Sequence, residues 1–482
     1  MTKKAAAYVY TGPDDWHGLV GQVLASLGYV YDSDGKEAAV RLTSRRKSLV
    51  LDGYFTDSNG QACNFGPYVV TTKKEVKNYL LEACRTLTKR PPSPWGKLTG
   101  VRPIKLVHTL LDEGLSPEGV RHRLCKDFDV ADRTADLLVQ VAVTQRPYVV
   151  QHETRDAAAL YVGIPYCASH CLYCSFPSRL VGNERAERLL DFTNKLIEDI
   201  QDVQRLCSDT GIRIDSIYVG GGTPTSLSVE AVERIMSALK PLSEACREWT
   251  VEAGRPDTMT EEKARILRAC GVNRISINPQ TMQQHLLDAL GRRHTVKDIY
   301  RMFDYCRNAG FSVVNMDFIA GLPGQTVEDM RQNLEAVCQL APENVTIHTL
   351  ALKKGAPLFR HTLREEIPPV QVVEEMVTSA EEALCRQEYV PYYLYRQQYM
   401  AAEFANIGYA KDGAVSRYNI EMMEERQTVL GVGPGSATKF IVPHMKMEKM
   451  YMPKDIGQYT EALTERMKRR RLLCTAVYEG VN

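Results

Sequence analysis

A chain of 482 residues, 44% hydrophobic and 25% charged, has the composition of a folded globular protein and the length for two or three domains, which excludes disorder as its dominant state. Its 60 Lys and Arg against 59 Asp and Glu leave a formal charge of +1, too weak a field to attract a phosphate backbone nonspecifically, so nucleic acid is not expected as a partner. The opening MTKKAAAYVYTGPDD lacks a secretory apolar core, and no stretch offers about 18 unbroken apolar residues for a membrane span, so a cytoplasmic protein is expected. The 13 Cys, odd in number and scattered, do not read as a disulfide framework; most read as small buried hydrophobes.

From Ala6 to about Tyr148 the pattern is mixed α/β, with strands at YVY and SLVLDGYF and a helix from Thr72 to Leu87. The Pro- and Gly-rich RPPSPWGKLTGVRP breaks it, and a helix from Ile104 to Glu113 stops at Gly114. The first 150 residues carry 21 Lys and Arg against 16 Asp and Glu, a surplus that a solvated surface explains. From Ala158 the texture changes. Strands ALYVGIPY, DSIYVGGG, EWTVEAG, RISINPQ, SVVNMDFIAG and NVTIHTLAL alternate with helical patterns at Glu184–Cys207, Val229–Leu239, Glu261–Cys270, Met282–Ala289, Val296–Ala309 and Val327–Leu340. Six strand-then-helix steps predict a parallel sheet curved into a partial TIM-type barrel, with its chemistry at the carboxyl ends of the strands. After Lys353 come a helix from Val370 to Cys385, the aromatic VPYYLYRQQYM, the Gly-rich GVGPGSATKF and the basic ERMKRRR. The expected domains are therefore an N-terminal α/β region (1–150), a six-unit βα core (155–360) and a C-terminal α+β unit (361–482) that covers the substrate.

The first core strand runs into YVGIPYCASHCLYCSFPS, which places Cys167, Cys171 and Cys174 in a C-x-x-x-C-x-x-C loop. Thiolates are soft ligands for zinc and for iron–sulfur clusters. A structural zinc site takes four protein ligands, whereas three thiolates on a four-iron cluster leave one iron open to a small molecule. Three unrelated buried cysteines would spell the same letters, but their position after the first strand favours a ligand set. Gly220, Gly221 and Gly222 after strand two allow backbone groups close to a ligand, although a tight turn explains such a run equally well. Glu252, Gln280 and Asp317 put polar groups at or near the ends of strands three, four and five. Hydrogen bonding in the core accounts for any one of them, and a site accounts for all three together.

This arrangement resembles the radical S-adenosylmethionine superfamily, and within it the oxygen-independent coproporphyrinogen III oxidase group, which includes haem-pathway dehydrogenases and related haem chaperones. The likeness rests on Y-x-x-I-P-Y-C, GGGTPT and GVGPGS; LTGVRPIKLVHTLLDEG, TVEAGRPD and YYLYRQQYM resemble its longer firmicute-type branch. The resemblance implies a [4Fe–4S] cluster on Cys167, Cys171 and Cys174 whose open iron takes S-adenosylmethionine and cleaves it to a deoxyadenosyl radical. It implies contacts to that molecule from Tyr161, Gly220, Gly221, Gly222, Thr223, Glu252 and Ala351, and a second S-adenosylmethionine pocket at Tyr173, Gln280, Arg292, Asp317 and Ile319. The implied reaction removes carbon dioxide from two propionates of coproporphyrinogen III, giving protoporphyrinogen IX, with a tetrapyrrole substrate and an electron donor and acceptor as partners. A haem chaperone without decarboxylase activity, and a radical methyltransferase or RNA modifier, are the alternatives.

One departure separates them. Where the classical enzymes of the group have a fourth Cys, two residues after the third, this chain has Phe176, whose ring is expected to seal the cofactor pocket. Arg292 or Arg293 is expected to meet the substrate carboxylates. Tyr392, Tyr393, Tyr395 and Tyr399 with Arg396 read equally as a macrocycle wall or as a half-buried strand, His348 and His361 as structural histidines, and ERMKRRR as a basic surface turn. No residue is assigned as catalytic.

Overall fold

The alternation read along the chain reappears as spatial order in the computed structural model, which describes residues 6–27, 29–31, 38–45, 48–57, 60–88, 93–149, 156–397, 404–441 and 447–478. These residues divide into two units, 1–142 with 395–405, and 143–394 with 406–482. In the first, β1 (Ala6–Thr11), α1 (Asp14–Ser26), β2 (Tyr29–Tyr31), β3 (Ala38–Arg45), β4 (Ser48–Thr56), β5 (Ala62–Val70) and α2 (Lys73–Thr88) form a sheet of order β2-β1-β3-β4-β5 with both helices packed on it. Tyr8, Val40, Leu51 and Phe55 from the strands meet Val20, Leu24, Val76 and Leu80 from the helices. Helices α3 (Ile104–Asp112), α4 (Pro117–Phe128) and α5 (Asp132–Val149) follow. Arg396, weighed above as a carboxylate partner, instead lies over the Trp95 ring at 4.7 Å, and its backbone N–H donates to Val101 O within the LTGVRP turn.

The second unit opens with β6 (Ala157–Ile164), β7 (Tyr166–Cys167), β8 (Arg179–Leu180), α6 (Ala186–Thr210), β9 (Arg213–Gly221), α7 (Val229–Leu239), β10 (Glu248–Gly254) and α8 (Glu261–Cys270). It continues through β11 (Arg274–Gln280), α9 (Gln284–Ala289), α10 (Val296–Ala309), β12 (Val313–Ala320), α11 (Val327–Leu340) and β13 (Asn344–Thr349). Strands β6, β9, β10, β11, β12 and β13 pair in that order, all parallel, which is the six-unit α/β array expected from the alternation. The helices form where apolar residues repeat at helical spacing: α10 buries Ile299, Met302, Phe303 and Cys306. Their ends are set by local chemistry, with capping boxes at Thr295 and Thr326 and left-handed glycines at Gly271 and Gly310.

The remaining elements are α12 (Val370–Arg386), β14 (Val390–Tyr395), β15 (Asn406–Ala410), α13 (Arg417–Glu424), β16 (Thr428–Val432), β17 (Ala437–Phe440), β18 (Glu448–Tyr451) and α14 (Ile456–Tyr478). The strands after residue 360 extend the same sheet at both edges, giving eleven in the order β14-β15-β13-β12-β11-β10-β9-β6-β16-β17-β18. GVGPGS makes one junction. Gly433 has φ +83, and a side chain there would stand 2.3 Å from Gly163 O in β6, so only glycine lets the strands close. The amino ends of the strands are covered by the segment leading into α13. Glu248 accepts from Ser416 Oγ (2.8 Å) and Arg417 N (2.7 Å), and Arg274 donates to Ala414 O (2.8 Å). Chemistry is left to the carboxyl ends. Among the described residues no helix is long and apolar enough to cross a membrane.

Of two C-terminal expectations, one resolves to its strand alternative and one needs correction. Tyr392 and Tyr393 are buried in β14, and Asn344 accepts from the Tyr392 hydroxyl at 3.3 Å; this is a sheet strand, and Tyr399 lies outside the described residues. ERMKRRR is part of α14 rather than a surface turn, and Arg470 is 0% exposed. Its guanidinium donates to Asp199 and Asp202 of α6, both at 2.7 Å, while Asp199 also accepts from Tyr459 Oη (2.9 Å) and Gly433 N (3.0 Å). Removing one partner from a buried ion pair strands the other charge at a cost of about 3–5 kcal/mol. Arg470→Ala is accordingly expected to lower the unfolding free energy by about that amount in a denaturant titration; a loss under about 1 kcal/mol would contradict the buried-network account.

Candidate active site

β6 ends at Ile164, and the chain turns through Pro165 into β7, which carries Cys167; Cys171 and Cys174 follow before β8. Parallel pairing of β7 with β8 (Tyr166 opposite Arg179, Cys167 opposite Leu180) closes this stretch into a stemmed loop. Its centre is tied down twice, by Leu172 N donating to Leu290 O (3.1 Å) and Leu358 N donating to Leu172 O (2.8 Å). The glycine run packs directly under it. Gly222 N donates to Ile164 O (2.8 Å) and Thr223 N to Tyr166 O (2.6 Å), while Thr223 Oγ1 donates to Cys167 Sγ at 3.6 Å. A Cβ on Gly222 would come within 2.4 Å of Tyr166 O and 3.0 Å of Cys167 Sγ, and one on Gly220 within 2.9 Å of the Glu252 carboxyl carbon.

The registered strands turn one polar face inward. Tyr161 of β6 lies opposite Tyr218 of β9, and Glu252, Ser276 and Asn315 are successive partners across β10, β11 and β12. Asp317 lies opposite Thr346, two residues before His348. Tyr218 Oη donates to Glu252 Oε1 at 2.5 Å, Asn315 Nδ2 donates to Asp317 Oδ1 at 2.8 Å, and His348 Nε2 is 3.8 Å from Asp317 Oδ2. Tyr161, Tyr218 and Tyr418 stack with centroids 4.5–6.3 Å apart. Burial in this interior pushes the Glu252 carboxyl up to about 7, against the Tyr218 hydrogen bond and with the neighbouring Asp317 charge.

Tyr173 and Ile319 share an apolar cluster with Leu172, Leu290, Leu322 and Leu350, and Ala351 follows directly at the end of β13. Gln280 ends β11 at a register shift with φ +71, a left-handed conformation that costs a non-glycine residue about 1–3 kcal/mol. Of the residues singled out from the sequence, Gly220, Glu252 and Asp317 are brought together, and Tyr173 and Ile319 meet in the apolar cluster. Arg292 is buried, with Nη1 and Nη2 donating to Tyr173 Oη (3.0 Å), Cys171 Sγ (3.8 Å) and Asn278 O while Nε has no hydrogen-bond partner, and Arg293 is exposed. Phe176 is 37% exposed. His361 accepts from Leu363 N in its own turn. Residues the sequence reading passed over include Tyr218, signalled by sharing strand parity with Gly220, and Arg255, which lay unread inside TVEAGRPD.

Residues 161–337 match the family model of the radical SAM superfamily. The chain is 36% identical over 400 residues to the oxygen-independent coproporphyrinogen-III oxidase-like protein HemZ of Bacillus subtilis, covering 80% of this chain and 79% of that protein. It belongs to the radical SAM superfamily, in the oxygen-independent coproporphyrinogen-III oxidase-like family. It is also 30% identical to the heme chaperone HemW of Bacillus subtilis, over 57% of this chain and 69% of that protein. The fold matches that of the Escherichia coli coproporphyrinogen III oxidase HemN, with TM-score 0.52, 19% identity, and coverage of 70% of this chain and 78% of that one.

Membership implies a [4Fe–4S] cluster and S-adenosylmethionine, and the donor set of this radical SAM protein suits them. Three thiol donors sit on one loop, and burial together with the nearby Cys171 and Cys167 sulfurs pushes the Cys174 thiol up. Among the described residues no three His, Cys, Asp or Glu are gathered tightly enough for a single metal ion. A four-iron cluster asks for wider spacing, since each thiolate ligates its own iron. Thr223, Arg255 and Arg292 aim donors at the sulfurs, as anionic ligands require.

The Glu252 carboxyl yields a pH prediction. Its folded value, about 7, lies above the ordinary 4.5, so between those values the unfolded chain releases a proton that the folded chain keeps, and stability falls as pH rises through that window. Removing the charge should remove the penalty. Cofactor-free Glu252→Gln is expected to be more stable than the parent by about 3 kcal/mol at pH 8, the gain vanishing toward pH 4.5; an equal effect at both pH values would sink the account.

Proposed function

We propose that this radical SAM protein is a cytoplasmic enzyme that converts coproporphyrinogen III to protoporphyrinogen IX without oxygen. Cys167, Cys171 and Cys174 would hold the cluster. Tyr161, Gly220, Gly221, Gly222, Thr223, Glu252 and Ala351 would hold the cluster-bound S-adenosylmethionine, with Tyr173, Gln280, Arg292, Asp317 and Ile319 around a second. When bound, these cofactors supply the radical that abstracts a propionate β-hydrogen. The chain's own task is positioning. The glycine run lets ligand groups approach the backbone, Glu252 offers a buried acceptor, and the Leu172, Tyr173, Ile319 and Leu350 cluster gives a water-excluding wall for an apolar macrocycle. Each propionate then loses its β-hydrogen, carbon dioxide and one electron, so an electron acceptor is required, and a donor must reduce the cluster. In this reading residues 1–150 are accessory, 155–360 form the catalytic core and 361–482 cover the substrate.

The supporting observation is the extent of the HemZ likeness. At 80% of the chain it must reach into the first 150 residues, because the chain from 155 onward amounts to only about two-thirds of the whole. A second reading, a haem chaperone, is favoured by the 30% identity to HemW and by Phe176 in place of a fourth Cys. Anaerobic reconstitution is expected to load about four iron and four sulfide per chain, lost in a Cys167→Ala, Cys171→Ala, Cys174→Ala triple variant. Stoichiometric zinc without cluster absorbance would refute the ligand set. Incubating the loaded protein with coproporphyrinogen III, S-adenosylmethionine, reductant and an electron acceptor should give masses lower by one and then two decarboxylations. Cleavage of S-adenosylmethionine with no such product, together with tight haem binding, would install the chaperone reading instead.

A further inference from the structure

Arg255 sits at the turn after β10, is 3% exposed, and is one of the donors aimed at the cysteine sulfurs. A buried guanidinium is retained only where its charge is matched and its donors are met. Asp257 supplies the charge through a two-pronged contact, accepting from Nε at 2.9 Å and from Nη2 at 2.7 Å. That fork fixes the plane and leaves Nη1 to point the other way, where it reaches Ser169 Oγ (2.6 Å), Ser169 O (3.2 Å) and Cys171 Sγ (3.7 Å). The side chain therefore spans from β10 to the cysteine loop. Arg292 approaches the same sulfur at 3.8 Å from the segment after α9. Cys171 is thus the one cysteine of the three that receives donors from two guanidiniums, and the only one of them that is buried.

A donor aimed at a ligating sulfur draws electron density from it and favours the more negative, reduced form of the cluster. Hydrogen bonding to the sulfurs, net charge and solvent exposure are the terms that set such potentials. We infer that Arg255 sets the reduction potential of the cluster through the Cys171 thiolate, and that Asp257 acts as its positioning residue while offsetting part of its charge. The inference rests on Cys171 being a cluster ligand. Reduction here is a one-electron event: an external reductant gives up one electron, the cluster gains it and becomes one unit more negative, and no bond is made or broken. A cation buried beside one corner, in surroundings where charge is weakly screened, favours that extra electron. Removing Asp257's negative charge favours it further. A role confined to holding the loop predicts neither sign.

The test is a potentiometric titration of anaerobically reconstituted full-length protein, followed by the EPR signal of the reduced cluster, with iron and sulfide counted on the same samples. In Arg255→Gln the ratio of reduced to oxidised cluster at fixed potential should fall about tenfold, a midpoint about 59 mV lower for a one-electron couple. Asp257→Asn should move the midpoint upward. An unchanged midpoint in Arg255→Gln with full iron content overturns the inference, and so does a downward shift in Asp257→Asn. If Arg255→Gln does not retain the cluster, the direction of the Asp257→Asn shift decides. Failure of the unmodified protein to bind iron and sulfide would instead remove the cluster assignment on which the inference stands.

Discussion

At Gly222 there is no room for a side chain, since a Cβ would meet both the Tyr166 carbonyl and the Cys167 sulfur. That close approach of two strand ends is the constraint from which the site follows. It brings the turn after β9 against the start of the cysteine loop, so the start of the loop is gripped by backbone hydrogen bonds. With the loop fixed there, Thr223 reaches Cys167, and Gly220 leaves the space beside Glu252 open. Covering the amino ends of the strands with α13 and its leader completes the arrangement.

The interior so formed is balanced by charge rather than filled by apolar packing. Glu252 of β10 and Asp317 of β12 lie one strand apart across β11, with His348 near Asp317, while Arg255 and Arg292 stand around the cysteine loop. Acidic groups on one side and cations beside the thiols polarise the space between them. His294, held down to about 4 by burial and then by the Arg292 charge, stays neutral there and adds no third cation. Such an interior is costly for an empty fold and suited to a charged ligand, because the desolvation already spent on the protein groups need not be spent again when the ligand arrives.

Much of this was legible before any coordinates. The six parallel strands and their helices follow from local periodicity, and α7, α8, α10 and α11 begin and end where it places them, because caps and glycines encode helix ends within a few residues. The cysteine triplet and the glycine run are short motifs, and the fold joins them as their positions after strands one and two require. What stayed hidden depends on distant partners. Arg470 belongs to a run of basic letters until Asp199 and Asp202, more than 260 residues away, bury it. Arg292 reads as a ready cation until Tyr173 and Asn278 engage two of its nitrogens in the interior. In each case residue chemistry was read correctly in kind, while burial, a property of the fold, decided its use.

The oxidase and chaperone readings place similar demands on the mouth of the site, and this is why the mouth alone does not separate them. Both ligands are tetrapyrrole macrocycles with apolar faces, the haem flat and the porphyrinogen puckered at its saturated bridges, and Leu172, Tyr173, Leu290, Ile319 and Leu350 form an apolar cluster beside the strand ends. They part over the propionates. A chaperone can leave those groups in water, whereas a decarboxylase must bring one propionate β-carbon to the radical and hold its carboxylate still. Arg292 has Nη1 and Nη2 engaged by Tyr173, Cys171 and Asn278, and Arg293 is exposed, so a clamp built on either would have to give up those contacts or reach in from the surface. The likeness to HemZ extends before residue 155, further than the core alone accounts for, so what the two chains share is not confined to the strand-end chemistry that every reading requires.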